Sequence, residues 1–174
     1  QRQMCIRDSF VTLREFFIKK LKNLSQNVAH FGFSLLILSI LLNNIFSTEV
    51  ITNLKIGETF KSDKFSINFA KIDQENGKNF KSIIGKFKVE HEDGSIDALR
   101  PELRIYNQPK IVTSEADIKT NFFTDKFITM NYVQNQEYFN IRYQVKPLMI
   151  WIWISVLLLS FGGLMSIFKK RYEI

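Results

Sequence analysis

Two apolar blocks bracket a long stretch in which apolar and polar positions alternate. The first block, Val28–Phe46, reads VAHFGFSLLILSILLNNIF and contains no Lys, Arg, Asp or Glu. At about 1.5 Å per residue such a helix extends roughly 28 Å, close to the hydrocarbon thickness of a bilayer. Asn43 and Asn44 mark its exit. The second block, Leu148–Phe168, reads LMIWIWISVLLLSFGGLMSIF. Trp151 and Trp153 stand at its start, where an aromatic belt is expected, and Gly162 and Gly163 permit another helix to approach closely. The first block lacks the polar stripe of a helix on the surface of a soluble core. Two transmembrane helices are therefore predicted.

Between them the period is two. In KFSINFAKI, Phe65, Ile67 and Phe69 share one face and Ser66 and Asn68 the other. In KFKVEH, Phe87 and Val89 oppose Lys86, Lys88 and Glu90. In YFNIRYQVK, Phe139, Ile141, Tyr143 and Val145 oppose Tyr138, Asn140, Arg142 and Gln144. This alternation marks half-buried strands, and Asn76-Gly77 and Asp93-Gly94 are hairpin-type turn dipeptides. No long segment of helical period interrupts them. The prediction is a membrane protein of mixed class, with two transmembrane α-helices flanking an all-β domain, a sandwich or open barrel of about six or seven strands.

Charge sets the orientation. The net charge of +7 divides as +4 over residues 1–46, +1 over 47–146 and +2 over 147–174. The excess sits beside the apolar blocks, at Arg14–Lys22 and Lys169–Arg171, rather than as a basic stripe on the β domain, which argues against nucleic-acid binding. By the positive-inside rule both ends are cytoplasmic and the middle is extracytoplasmic, which in a Gram-negative bacterium is the periplasmic side of the inner membrane. The expected organisation is a non-native leader at 1–9, a basic cytoplasmic segment at 10–27, a span at 28–46, a periplasmic β domain at 47–146, a span at 147–168 and a cytoplasmic tail at 169–174. The leader is set apart because it holds the one cysteine, Cys5, and two Arg without Lys in a Lys-rich chain, so the natural protein is expected to continue upstream. A single cysteine excludes a disulfide framework, a CxxC pair and a CxxCH attachment motif.

Candidate chemistry is sparse. His30 is an ionisable residue inside an apolar span, a costly placement that suggests function. Neutral imidazole is a haem-iron ligand, and the alternative is an interfacial histidine whose ring tip reaches water. His91, in VEHEDG, reads as a solvated histidine at a strand end, beside the acidic turn of Glu90, Glu92 and Asp93. Arg100-Pro101-Glu102 and Arg104-Ile105-Tyr106 form a dense polar stretch. No nucleophilic triad, phosphate-cradling glycine loop or zinc site is legible, and no catalytic residue is assigned.

Several stretches, in order, resemble the C-terminal part of the CcmF/NrfE family, the membrane haem lyase subunits of cytochrome c-type biogenesis. Ala29-His30-Phe31-Gly32 is similar to the family's AHLG at the opening of a transmembrane helix. Ile56-Gly57-Glu58-Thr59 resembles its turn after the first periplasmic strand. Arg100–Tyr106 and then Thr113, Glu115, Ala116 and Ile118 resemble two further motifs. Tyr143–Pro147, Trp151-Ile152-Trp153, Gly162-Gly163 and Arg171-Tyr172 complete the likeness. Leu148–Ile150 and Leu103 depart from it.

The resemblance implies a haem-handling machine that joins haem vinyl groups to the thiols of apocytochrome c. It implies a resident haem b held by two transmembrane histidines, with His30 as one axial ligand to the haem iron. The implied partners are the haem chaperone CcmE, apocytochrome c, the other Ccm lyase subunits and quinol. The tryptophan-rich haem site and the second ligand are expected upstream, so this stretch alone is not expected to be an active enzyme. The competing readings are a non-enzymatic membrane-anchored periplasmic adaptor or assembly protein, and the extracytoplasmic domain of a sensor.

Overall fold

The computed structural model describes the backbone of residues 2–133 and 137–170 and the side chains of residues 24–133 and 137–167. The side chains of Arg14–Lys22, Phe168, Lys169 and Lys170, and all of Arg171 and Tyr172, lie outside the described residues.

The chain forms two compact units, a helical one and a β unit over Phe46–Pro147. Helix α1 runs over Arg2–Phe46 and α2 over Met149–Lys170. Each contains a segment long and apolar enough to cross a membrane, Leu24–Phe46 and Met149–Ile167. The two helices pack through small residues. The Ser25 hydroxyl donates to the Gly162 carbonyl at 2.9 Å. A Cβ on Gly162 would lie 2.8 Å from the Ala29 nitrogen, and one on Gly32 would lie 2.9 Å from the Leu159 nitrogen. Ser39 and Ser155 are also buried. Lipid offers no hydrophobic incentive for helices to associate, so close backbone approach and hydrogen bonding carry the contact. Of the two glycines read from the sequence, Gly162 makes the approach and Gly163 faces open space.

The β unit is a sandwich of ten described strands: β1 Thr48–Leu54, β2 Thr59–Lys61, β3 Phe65–Asn76, β4 Phe80–His91, β5 Ile96–Leu99, β6 Glu102–Tyr106, β7 Val112–Glu115, β8 Asp117–Thr120, β9 Thr124–Tyr132 and β10 Phe139–Pro147. One sheet has the order β1-β10-β9-β8. The other has the order β2-β3-β4-β6-β7, with β5 added on β4. All the described pairings are antiparallel. The strand count exceeds the six or seven expected because β2, β5, β7 and β8 have only three or four residues, too few for alternation to register.

Alternation builds the core. Phe65, Ile67 and Phe69 of β3, Phe87 and Val89 of β4, Ile128 and Met130 of β9, and Ile141 and Tyr143 of β10 are all buried between the sheets. Phe69 stacks on Phe87 within one sheet, with centroids 4.4 Å apart, and meets Phe139 of the other edge-on at 5.6 Å. Fully burying side chains of this size stabilises by about 1.5–3 kcal/mol each relative to exposure. The β4–β5 hairpin turns at Asp93-Gly94, where Gly94 takes φ +76°, a left-handed conformation that a side chain would strain. The first and last strands are neighbours, with Thr48 opposite Val145, so the chain enters and leaves the sandwich at one edge.

Candidate functional site

Helical geometry decides what His30 can reach. Successive residues turn by about 100° around the axis. Ala29 and Gly32 abut α2, so His30 falls off that contact and is exposed, beside the exposed Phe31 and Phe33. It sits within the apolar segment that starts at Leu24, roughly 9 Å along the axis from that start at 1.5 Å per residue. An imidazole on an apolar helix, turned away from the neighbouring helix, fits one axial ligand of a haem iron. The chain's other histidine is engaged elsewhere.

That histidine, His91, is not solvated as its sequence context suggests. Its side chain is only 15% exposed, and Nε2 lies 2.8 Å from Asp97 Oδ2 and 2.9 Å from Lys126 Nζ. Nε2 fills one role at a time, donating to the carboxylate or accepting from the ammonium. Asp97 is the centre of the cluster. Its side chain is 6% exposed and also accepts from Lys126 at 2.7 Å and Lys119 at 2.5 Å. His91 and Asp97 belong to one sheet and Lys119 and Lys126 to the other, so the carboxylate pins the sheets together. Lys119 and Lys126 are direct partners across β8 and β9, a like-charge pairing that is unfavourable unless neutralised.

Burial alone would raise the Asp97 pKa. The hydrogen bonds from Lys119, Lys126 and His91 outweigh it and hold the carboxyl far below its ordinary value. Tyr143 packs edge-on against Phe65, and burial together with the Asp97 charge pushes its hydroxyl pKa well up. Among the described residues no three His, Cys, Asp or Glu side chains converge to hold a metal ion. The cluster has the geometry of a charged staple between the two sheets. Its one signal in the sequence is the β5 pattern Ile96-Asp97-Ala98-Leu99, which buries an aspartate where alternation reserves an inward place for an apolar side chain.

A third polar feature joins two of the stretches that carried the resemblance. Residues 100–106 and 113–118 meet as β6 and β7, with Glu102 opposite Glu115 and Arg104 opposite Thr113. Together with Glu75 and Ile84 they line a cleft of about 460 Å³ containing Arg100, Glu102, Arg104, Glu115 and Asp117. Arg104 donates to Glu102 through Nε at 2.7 Å, and its guanidinium lies 5.2 Å from the Phe80 ring centroid. The Glu102 carboxylate, with Tyr106, raises the Arg104 pKa. The Arg100 backbone N–H donates to Asp117 Oδ2 at 2.6 Å. The cleft is thus lined by both signs of charge held at fixed places, which suits recognition of a charged chain segment better than chemistry.

Known proteins share sequence and fold with this chain. The family model described as the CcmF C-terminal beta-sandwich matches residues 45–147. The cytochrome c-type biogenesis protein CcmF of Haemophilus influenzae is 29% identical over 169 residues, covering 93% of this chain and 26% of the relative. The cytochrome c-type biogenesis protein ccl1 of Rhodobacter capsulatus is 30% identical over 145 residues, covering 83% of this chain and 22% of the relative. A solved structure of the cytochrome c heme lyase CcmF has the same fold, with a TM-score of 0.66 at 20% identity over 86% of this chain and 25% of that one. The chain spans about a quarter of the length of the proteins it matches.

Proposed function

The chain belongs to the CcmF family of cytochrome c-type biogenesis, and from that premise we propose that it is the C-terminal part of a membrane haem lyase subunit, with His30 as an axial ligand of a haem b. The observation that carries the haem assignment is the placement of His30, an exposed imidazole on an apolar helix whose opposite side is closed by α2. His91 is committed to Asp97 and Lys126, and the family resemblance assigns the second ligand and the remainder of the haem pocket to segments upstream of this stretch.

When bound, the haem supplies one-electron chemistry that keeps delivered haem reduced, with quinol as the electron source. The chain's own residues do the rest of the work ascribed to it. His30 offers a neutral ring nitrogen from the helix. The Ser25, Ala29, Gly32 and Gly162 contact fixes the rotation of α1 and so the direction of that nitrogen. The sandwich lies on the periplasmic side of the inner membrane, where its mixed-charge cleft receives a partner of the Ccm system, CcmE or apocytochrome c among them. No thioether-forming residue is assigned to this chain.

The test is maturation of a c-type cytochrome in cells whose own family protein has been deleted and replaced by the full-length protein. His30→Ala is expected to abolish covalent haem staining of the cytochrome while the protein still accumulates in the membrane. Undiminished staining would remove His30 from the mechanism and favour a non-enzymatic adaptor role for this part of the chain.

A further inference from the structure

The β8–β9 hairpin ends in an uncharged tip, Thr120-Asn121-Phe122-Phe123-Thr124. It is closed by the Asn121 N–H donating to the Thr124 carbonyl at 2.9 Å. Phe122 and Phe123 are 53% and 63% exposed, with rings edge-to-face at 5.1 Å. The turns at Ser62–Lys64, Gly77–Asn79 and Glu92–Ser95 are built of polar residues and glycine without an aromatic. Ile56 and Ile111 are single exposed apolar residues in other turns, whereas two adjoining aromatic rings at one tip form a patch suited to an apolar environment.

Strand register says where this tip lies. Thr124 pairs with Pro147, Asp125 with Lys146 and Lys126 with Val145, while Val145 also pairs with Thr48. The tip is therefore at the end of the sandwich where the chain arrives from α1 and departs into α2. The apolar segment of α2 begins at Met149, two residues beyond Pro147. Phe123 adjoins Thr124, Thr124 pairs with Pro147, and the apolar helix starts two residues after Pro147 along the chain. The tip is thus on the end of the sandwich that the chain joins to its apolar segments, and Trp151 and Trp153 stand near the start of the second of them. Trp and Tyr concentrate at the membrane–water boundary because their rings are amphipathic, and Phe side chains on a membrane-facing surface bury their apolar rings at the headgroup–acyl boundary.

We propose that the Phe122–Phe123 tip is a membrane-interface anchor whose partner is the headgroup–acyl boundary of the bilayer. It gives the sandwich a point of attachment on the membrane besides its two covalent links to the helices. The proposal rests on the reading of the two apolar helices as membrane spans. Its test separates the two.

The 174-residue chain, with Cys5→Ser, is reconstituted in phosphatidylcholine–phosphatidylglycerol nanodiscs. A nitroxide is placed at Phe123→Cys, at Leu157→Cys in the apolar part of α2, or at Ile56→Cys beyond the other end of β1. Power-saturation accessibility to oxygen and to a soluble nickel chelate is then compared. The proposal predicts that label 123 favours oxygen, as label 157 does, while label 56 favours nickel. Nickel preference at 123 with oxygen preference at 157 would overturn the anchor and leave the spans standing. Exclusion of both reagents from 123 would overturn it in favour of packing against protein. Nickel preference at 157 would overturn the spans themselves. Phe123→Trp, in a chain with Trp151→Phe and Trp153→Phe, gives a second readout, since an anchored ring is quenched by brominated lipid and a solvated ring is not.

Discussion

Removing the Asp97 carboxylate tests whether the charged cluster is what ties the two sheets together. In Asp97→Ala, Lys126, with a side chain 15% exposed, loses its buried counter-charge and the equally buried His91 loses a hydrogen-bond partner, whereas Lys119, 46% exposed, can turn to water. Breaking a buried ion pair by deleting one partner costs about 3–5 kcal/mol, because the remaining charge is stranded. For a domain of this size each kcal/mol moves the midpoint by roughly 4–8 °C, so a loss on the order of 15–30 °C is expected. Lys119→Ala, by contrast, should cost no more than about 1 kcal/mol, as exposed ion pairs do. Adding Lys126→Met to Asp97→Ala should recover part of the loss, because it removes one stranded cation.

The assay is thermal denaturation of the full chain in detergent, followed by the β-sheet circular dichroism signal. The pH dependence carries the same signature. The folded pKa of Asp97 is depressed, so its contribution is complete above the ordinary carboxylate value of about 3.9 and is lost as pH falls from there toward the depressed folded value. Asp97→Asn should flatten that acid-side decline. An Asp97→Ala midpoint within a few degrees of wild type would refute the staple, and with it the claim that this charge couples the sheets.

Three further outcomes follow from local geometry. Gly162→Leu should separate the helices, since even a Cβ there would stand 2.8 Å from the Ala29 backbone, while Gly163→Leu, with open space around it, should leave a cross-link between cysteines placed on the two helices unchanged. Gly94→Ala should destabilise the sandwich by about 1–2 kcal/mol in the same melts, because φ +76° is left-handed and unfavourable for any Cβ. Arg104→Ala frees Glu102 opposite Glu115, and should weaken binding of a partner to the mixed-charge cleft while lowering the melting midpoint only slightly, since the guanidinium is partly exposed.

How much of this was legible in the sequence depends on the length and locality of each signal. The two apolar helices stood out, and so did parts of β3, β4 and β10, where alternation runs for six residues or more; β9, whose inward and outward positions alternate less regularly, did not. The short strands did not, because three residues such as Thr59–Lys61 cannot establish a period. The β3–β4 register also shifts between Phe69 and Lys71, a bulge that alternation alone does not reveal. His30 stood out as a candidate because a polar ring inside an apolar run is conspicuous by itself. The Asp97 cluster was not, since its lysines come from strands 22 and 29 residues away and only tertiary folding brings them to one carboxylate. His91 was misjudged for the same reason. Its neighbours in sequence are acidic and solvated, but its neighbours in space are Asp97 and Lys126.

The central claim, that His30 ligates a haem b, is tested most directly by the reduced-minus-oxidised optical spectrum of the detergent-purified full-length protein, recorded for wild type and His30→Ala. A b-type haem signal is expected in the wild type and is lost or strongly shifted in the variant while the protein remains folded. A haem signal unchanged by the substitution, or a folded wild type without haem, would contradict it.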